Sequence, residues 1–246
     1  MATGHAAAPA EAAWPRRVEP EVLDDLPADD PRARRSRRDL RVIHRFMGTR
    51  GILVRALRRI EEATGRPRRV LEVGCGDGTL LLGVARTLGW RDVELTLLDR
   101  QPAVEPQTLA AYAVLGWRAR TVVADVFDAA SDAMRGVHDV SVASLFLHHF
   151  EGATLERLCA ALAASAPAFV AYEPRRSRFA LLGSRLVVFL GANAVTRADA
   201  VLSVRAGFTR HELSLAWQAA AGSAWELDEG AAGPFGHRFC ARRARG

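Results

Sequence analysis

The stretch Val70-Leu-Glu-Val-Gly-Cys-Gly-Asp-Gly78 constrains the fold more than any other part of the chain. A short β-rich run enters three glycines, and a helical pattern begins directly after them at Thr79. Glycines permit the sharp turn and leave the backbone bare at a helix N-terminus, where a ligand can approach. Asp99 closes the next β-rich run about 20 residues on, where the acidic side chain of a nucleotide-binding βαβ unit meets ribose hydroxyls. The spacing is G-x-G-x-G. Thr79 stands where an NAD-type loop has its third glycine, and no Lys-Ser/Thr pair makes it a P-loop.

From Val70 onward the pattern alternates. Strands are predicted at Val70–Val73, Val93–Leu98, Arg120–Ala124, Val140–Leu147 and Phe169–Tyr172. Helices are predicted at Thr79–Leu88, Leu109–Leu115 and Thr154–Ala164. Such βαβα order argues for a parallel sheet covered on both faces, a Rossmann-like α/β fold. The near-continuous apolar run at Val140–Leu147 fits a strand buried on both sides. Weaker strand patterns follow at Ala224–Leu227 and His237–Ala241.

Two regions stand outside the alternation. Residues 18–63 carry apolar residues at helical spacing and are predicted to form an N-terminal helical cap. A helical insertion is expected at about 176–206, the substrate lid of a domain running over 64–246. The helix after it begins with a capping box, Thr209-Arg-His-Glu212. The Ala- and Pro-rich residues 1–17 read as a disordered lead-in without the apolar core of a signal peptide.

The net charge of +6 invites an anionic partner, but the chain has no lysine, so its basicity reflects a uniform use of arginine. The densest basic run, Arg32–Arg38, follows an acidic stretch that offsets it, which argues against nucleic acid. No apolar stretch reaches the roughly 20 residues of a membrane span. Three scattered cysteines give neither a disulfide framework nor zinc spacing, so a cytoplasmic location is expected. Nothing in the pattern fixes an oligomeric state.

With Glu72 before its glycines, the loop reads E-x-G-x-G-x-G and resembles the first motif of class I S-adenosylmethionine-dependent methyltransferases. The resemblance covers roughly residues 66–175. It implies a mostly parallel seven-stranded sheet with its last strand antiparallel. It also implies S-adenosyl-L-methionine as methyl donor and S-adenosyl-L-homocysteine as product. On that resemblance Glu72 meets the methionine ammonium through the local hydrogen-bond network, while Gly74, Cys75, Gly76 and Gly78 form the loop around the methionine moiety. Asp99 binds the ribose, Asp125 the adenine amino group with Val126 beside it, Arg100 flanks the adenine, and Ser144 in the fourth strand is a further cofactor-binding residue. For Asp125 the structural alternative is a strand-end turn residue, and Cys75 reads as a small residue that fits rather than a nucleophile.

The fourth strand's end faces the methyl group in this family. Here it reads Ser144-Leu-Phe-Leu-His-His-Phe150, without the Asn/Asp-Pro-Pro-Tyr/Phe of enzymes that methylate nucleobases or amides. His148 and His149 are candidates for a proton-accepting base or for orienting the acceptor, since an unperturbed imidazole titrates near 6.5. Capping the next helix is the structural alternative. A metal role is not expected: adjacent strand residues point to opposite faces, and Ser144 offers no carboxylate. Four further stretches, Asp39–Gly48, Ser144–Phe150, Arg175–Gly183 and Leu202–Thr209, resemble bacterial methyltransferases often encoded beside polyketide and phenolic-lipid genes. That resemblance implies a small, apolar or phenolic acceptor. Independently of it, Phe179, Leu186, Val187 and Phe189 of the insertion are candidates to wall an apolar pocket, with ordinary core packing as the alternative. O-methylation is the expected reaction. The alternatives are carbon methylation of an aromatic or quinone-like ring, RNA or protein methylation, and a non-catalytic cofactor-binding subunit.

Overall fold

The computed structural model describes residues 14–128 and 137–244. The expected lead-in therefore lies mostly outside the described residues, although Arg17 already donates its backbone N–H to Arg205 O.

The predicted cap consists of α1 (Val22–Asp25), α2 (Pro31–Met47) and α3 (Thr49–Thr64). The Asp30 carboxylate caps α2 by accepting the Arg32 N–H, and Pro31 occupies the first turn, where its missing donor costs nothing. Gly48, at φ 67°, breaks α2 from α3 in the left-handed conformation that glycine adopts without steric cost.

The glycine loop joins β1 (Arg69–Val73) to α4 (Thr79–Leu88), whose bounds match those predicted. Then follow β2 (Val93–Asp99), α5 (Pro106–Val114), β3 (Trp117–Val123), β4 (Val140–Ser144), α6 (Gly152–Ser165) and β5 (Ala168–Pro174). The insertion contains α7 (Arg178–Leu186), a 3-10 turn (Val187–Leu190) and α8 (Ala194–Ala206). The chain continues through α9 (Glu212–Ala221), β6 (Trp225–Ala232) and β7 (Gly236–Arg243). The last two strands are longer than predicted because their mixed burial hides part of the apolar alternation.

The seven strands order as β3-β2-β1-β4-β5-β7-β6, with β7 antiparallel to both β5 and β6. The order reverses between β1 and β4. At such a switch point neighbouring connections leave in opposite directions and open a crevice at the carboxyl ends of the strands. Two apolar layers fix the sheet. One face packs Leu53, Leu57, Leu81, Val84 and Trp117, the other Leu158, Leu162, Phe169, Trp217 and Phe239. Phe169 and Trp217 stack with centroids 5.2 Å apart, and burying each such aromatic stabilises the fold by about 2–3 kcal/mol.

The capping box forms by half. Glu212 reaches back to the Thr209 N–H at 2.8 Å, but the Thr209 hydroxyl meets Arg176 at 3.3 Å. The free N–H groups of Leu213 and Ser214 go instead to the Glu229 carboxylate, a partner supplied by β6 that no local motif announces.

Candidate active site

At the switch point the loop glycines Gly74, Gly76 and Gly78 all have positive φ. A side chain at Gly76 would meet nothing within 4 Å, so its backbone faces open space. At Gly74 it would lie 2.3 Å from the Phe146 ring. Asp99 clasps the loop: Oδ2 accepts the Gly76 N–H at 2.8 Å and Oδ1 the Gln101 N–H at 2.9 Å. Each oxygen keeps a lone pair for a further donor. Burial raises this carboxyl's pKa above its ordinary value.

Glu72 lies buried beneath the loop, and its Oε2 has no hydrogen-bond partner among the described residues. Burial, then the charges of Asp77 and Asp99, push its pKa well up. A buried oxygen without a donor is a place for a ligand's ammonium or for ordered water to complete the pairing. Asp77, absent from the sequence-based candidates, takes the N–H and hydroxyl of Thr79 on one oxygen and Arg41 at 2.6 Å on the other. It ties the cap helix α2 to the loop. Burial pushes the Cys75 thiol far above its ordinary range, so the side chain fills space and supplies no thiolate.

The remaining predicted cofactor residues lie around this loop and at its rim. Asp125 is exposed and closes its own turn by accepting the Phe127 N–H at 2.8 Å, with Val126 buried beside it. Arg100 donates to Asp24 O of α1 at 3.2 Å. Ser144 ends β4 with a buried hydroxyl that has no partner among the described residues. Bare loop backbone, the free lone pairs of Asp99 and the unpaired Glu72 oxygen together fit a nucleoside-bearing amino acid.

On the other side of the switch point the predicted strand is too long. It ends at Ser144, Leu145 takes φ 53°, and Leu147–His149 forms a 3-10 turn. A leucine with positive φ is a strained conformation of the kind that persists at functional sites. The strand alternation that set His148 and His149 on opposite faces does not apply: their rings lie side by side, centroids 4.2 Å apart.

His148 is fully buried between two carboxylates. Its Nδ1 lies 2.8 Å from Glu173 Oε2 and its Nε2 3.3 Å from Glu21 Oε1. Glu173, at the end of β5, also accepts the backbone N–H groups of Phe146, Leu147 and His148, so it can only accept, and the Nδ1 must carry a proton. Burial alone would lower the imidazole's pKa, but the hydrogen bonds and charges of Glu173 and Glu21 outweigh it and raise it to about 9. Burial would raise both carboxyls, and pairing with His148 brings both below their ordinary values. His149 stays half-buried, 3.3 Å from Asp24, and burial followed by the charge of His148 lowers its pKa. Glu21, His148 and His149 bring one ligating atom each within 4.8 Å of one another, so the geometric argument against a cation fails, although His148 already has a counter-ion on each nitrogen.

Neither Glu21 nor Glu173 was singled out from sequence. Glu173 carried a usable signal, an acid at the carboxyl end of a central parallel strand. Glu21 carried none, because it arrives on a strap from the N-terminal segment. Arg16 of that strap donates to His148 O and Ala206 O and lies 4.2 Å over the Phe208 ring. Asp199 of α8 then accepts the Val22 and Leu23 N–H groups, capping α1.

Beside the strap lies a cavity of about 430 Å³ whose walls include Phe179, Leu186, Val187 and Phe189, the four residues proposed from sequence. Leu145 and Glu21 line it too, so the cavity borders on the carboxyl edge of the sheet and on the His148 cluster.

No protein-family model matches the chain, and no curated protein does. Solved structures do. The plantazolicin methyltransferase BpumL, in complex with a monoazolic desmethylPZN analog and SAH, aligns with a TM-score of 0.66 over 88% of this chain and 91% of that one, at 14% identity. An O-methyltransferase family protein from Burkholderia thailandensis aligns at 0.52 over 80% and 60%, with 17% identity. A putative O-methyltransferase from Nostoc punctiforme aligns at 0.55 over 80% and 56%, with 16% identity. Strand order, glycine loop and these alignments agree: the chain has the Rossmann-like fold of the class I methyltransferases.

Proposed function

We propose that the protein transfers a methyl group from S-adenosylmethionine to a hydroxyl of a small, largely apolar acceptor. The observation that carries this reading is the juxtaposition at one switch point of the glycine loop with Asp99 and an apolar cavity that shares Glu21 with a buried Glu–His pair. That BpumL and BamL were solved in complex with SAH supports the choice of donor.

Asp99 would hold the ribose hydroxyls, the Gly74–Gly78 backbone the methionine portion, and Glu72 the ammonium. Bound there, the donor supplies an electrophilic methyl group on a sulfonium. In-line displacement then needs alignment, exclusion of water and removal of the acceptor's proton. The cavity walls align an apolar body, and the strap excludes water. His148 takes the proton at Nε2 once the acceptor hydroxyl has replaced Glu21 there, and Glu173 stabilises the resulting imidazolium through Nδ1. Glu173 does not touch the acceptor, so it is a positioning residue.

The pH profile tests this assignment. With its pKa held at about 9, His148 is mostly protonated at neutral pH, and only the neutral ring accepts a proton. The ratio kcat/KM, which reports the free enzyme, should therefore rise roughly tenfold per unit from pH 7 and level off near pH 9. His148→Gln should flatten the profile and lower kcat by about 10²–10⁴-fold. A full rate with the same profile in that variant excludes His148 as the base.

A further inference from the structure

Helix α7 and the 3-10 turn after it point an apolar stripe outward. Phe179, Leu182, Leu186 and Phe189 recur at helical spacing and are all exposed, Phe189 by 82%, while the inward positions are Ala180, Ser184 and Val187. A surface helix of a globular protein ordinarily does the reverse. Phe46 of α2, 67% exposed, extends the stripe, and its ring and that of Phe179 both pack against Phe235. Single exposed apolar residues mean little, but a contiguous patch marks a contact surface. These side chains also line the cavity, so the patch and the cavity mouth coincide.

The exposed charges of this segment are one-sided; the acids that line the cavity, Glu21 and Asp199, are half-buried and buried. Between Pro174 and Ala198 the chain has five arginines and neither Asp nor Glu, and Arg178, Arg185 and Arg197 are exposed. No described helix is long and apolar enough to cross a membrane. An outward apolar stripe with flanking cations is the pattern of a helix that lies in a lipid interface.

We propose that this face docks on an anionic lipid surface and lays the cavity mouth against the bilayer, so that the methyl acceptor enters from the lipid. The route of the acceptor rests on the function proposed above; the docking does not. A second copy of the chain is the competing occupant. A twofold contact sets a patch against itself and brings its arginines together, like charge on like, whereas anionic headgroups neutralise them.

Vesicle flotation of the full chain decides the matter. Vesicles of phosphatidylcholine containing about one third phosphatidylglycerol should carry the protein at least tenfold better than phosphatidylcholine alone, and less so at high salt. Phe189→Ser should weaken flotation about tenfold. The pair Arg178→Glu and Arg185→Glu should abolish the preference for anionic lipid, with thermal unfolding unchanged. Absence of flotation from either vesicle, or flotation that survives both variants, overturns the proposal. So does a dimer in sedimentation that Phe189→Ser dissociates while vesicles stay bare. Wild-type protein that floats but binds no S-adenosylmethionine in calorimetry refutes the methyl transfer and leaves the docking standing.

Discussion

Gly76 and Asp99 meet across 23 residues of chain, whereas Glu21 reaches His148 across 127 and Ser203 across 182. The two sides of one switch point are thus built by different means. The cofactor side is a single βαβ unit: a strand, a glycine turn, a helix and the acid at the end of the next strand. The acceptor side is assembled from β4, β5, α8 and the N-terminal strap, each bringing one or two groups. The first side closes on itself apart from the bonds of Arg100 and Gln101 to the strap and of Asp77 to α2, while on the second Glu21 and His148 depend on partners distant in sequence.

Removing one group on each side exposes that difference. Asp99→Ala leaves the Gly76 N–H without its acceptor and deletes the site offered to ribose hydroxyls. Calorimetry should show S-adenosylmethionine binding at least about 100-fold weaker, the loss of two charge-assisted hydrogen bonds at about 1.5–3 kcal/mol each. Hydrogen exchange at Phe146 and His148 should stay as in the wild type, because no bond links Asp99 to the Glu173 cluster. Faster exchange there would end the claim that the sides are independent.

The same contrast decides what was legible from sequence. The glycine turn, the place of Asp99 at the end of β2 and the bounds of α4 were legible because the contacts that define them lie within one supersecondary unit. The four aromatic and aliphatic cavity walls were legible as well, since an apolar helical insertion after a central strand has little else to face than the carboxyl edge of the sheet. The end of β4 was misread. Val140–Leu147 is apolar throughout, and only the Glu173 carboxylate, drawing the N–H groups of residues 146 to 148 to itself, stops the strand at Ser144. Glu21 and Asp199 stayed out of sight for a related reason: what they do depends on where α8 and the strap come to rest against each other.

Glu173→Gln tests the acceptor side from its centre. A carboxamide offers one acceptor oxygen in place of two, and its NH₂ must face N–H donors. The variant also leaves His148 buried with only Glu21 to balance its charge. Breaking a buried pair in this way costs about 3–5 kcal/mol, or a fall in melting temperature of roughly 6–20 °C for a chain of this size. The sign with pH follows from the pairing. The Glu173 pKa is held below its ordinary value in the folded state, so its contribution is present above about pH 4.5 and fades as the pH falls. Wild type and variant should therefore differ most near neutrality and converge in acid. In activity, His148 should titrate lower, so that kcat falls while the rise in rate moves to lower pH. A loss of stability with an unmoved profile would make Glu173 a structural residue only.

Asp199→Asn gives the smallest effect and the sharpest test of how the strap is held. The carboxylate accepts the Val22 N–H at 2.9 Å and the Leu23 N–H at 3.0 Å, on different oxygens. Asparagine keeps one acceptor of the two, so one backbone donor of α1 is left to water. Losing part of a cap costs about 1 kcal/mol, which global unfolding of a chain this long barely registers. Local opening registers it clearly. Helix α1 has only four residues and no buried side chain, so its caps, the contacts of Glu21 and Asp24 and the packing of Leu23 against Leu26, Ala33 and Val195 keep it in place. Amide exchange at Val22 and Leu23 should accelerate about fivefold, while the Gly76 amide, held by Asp99 within its own βαβ unit, keeps its wild-type rate. Equal acceleration at both places would mean that the strap and the glycine loop open as one unit, and that the two sides of the switch point share a single stability after all.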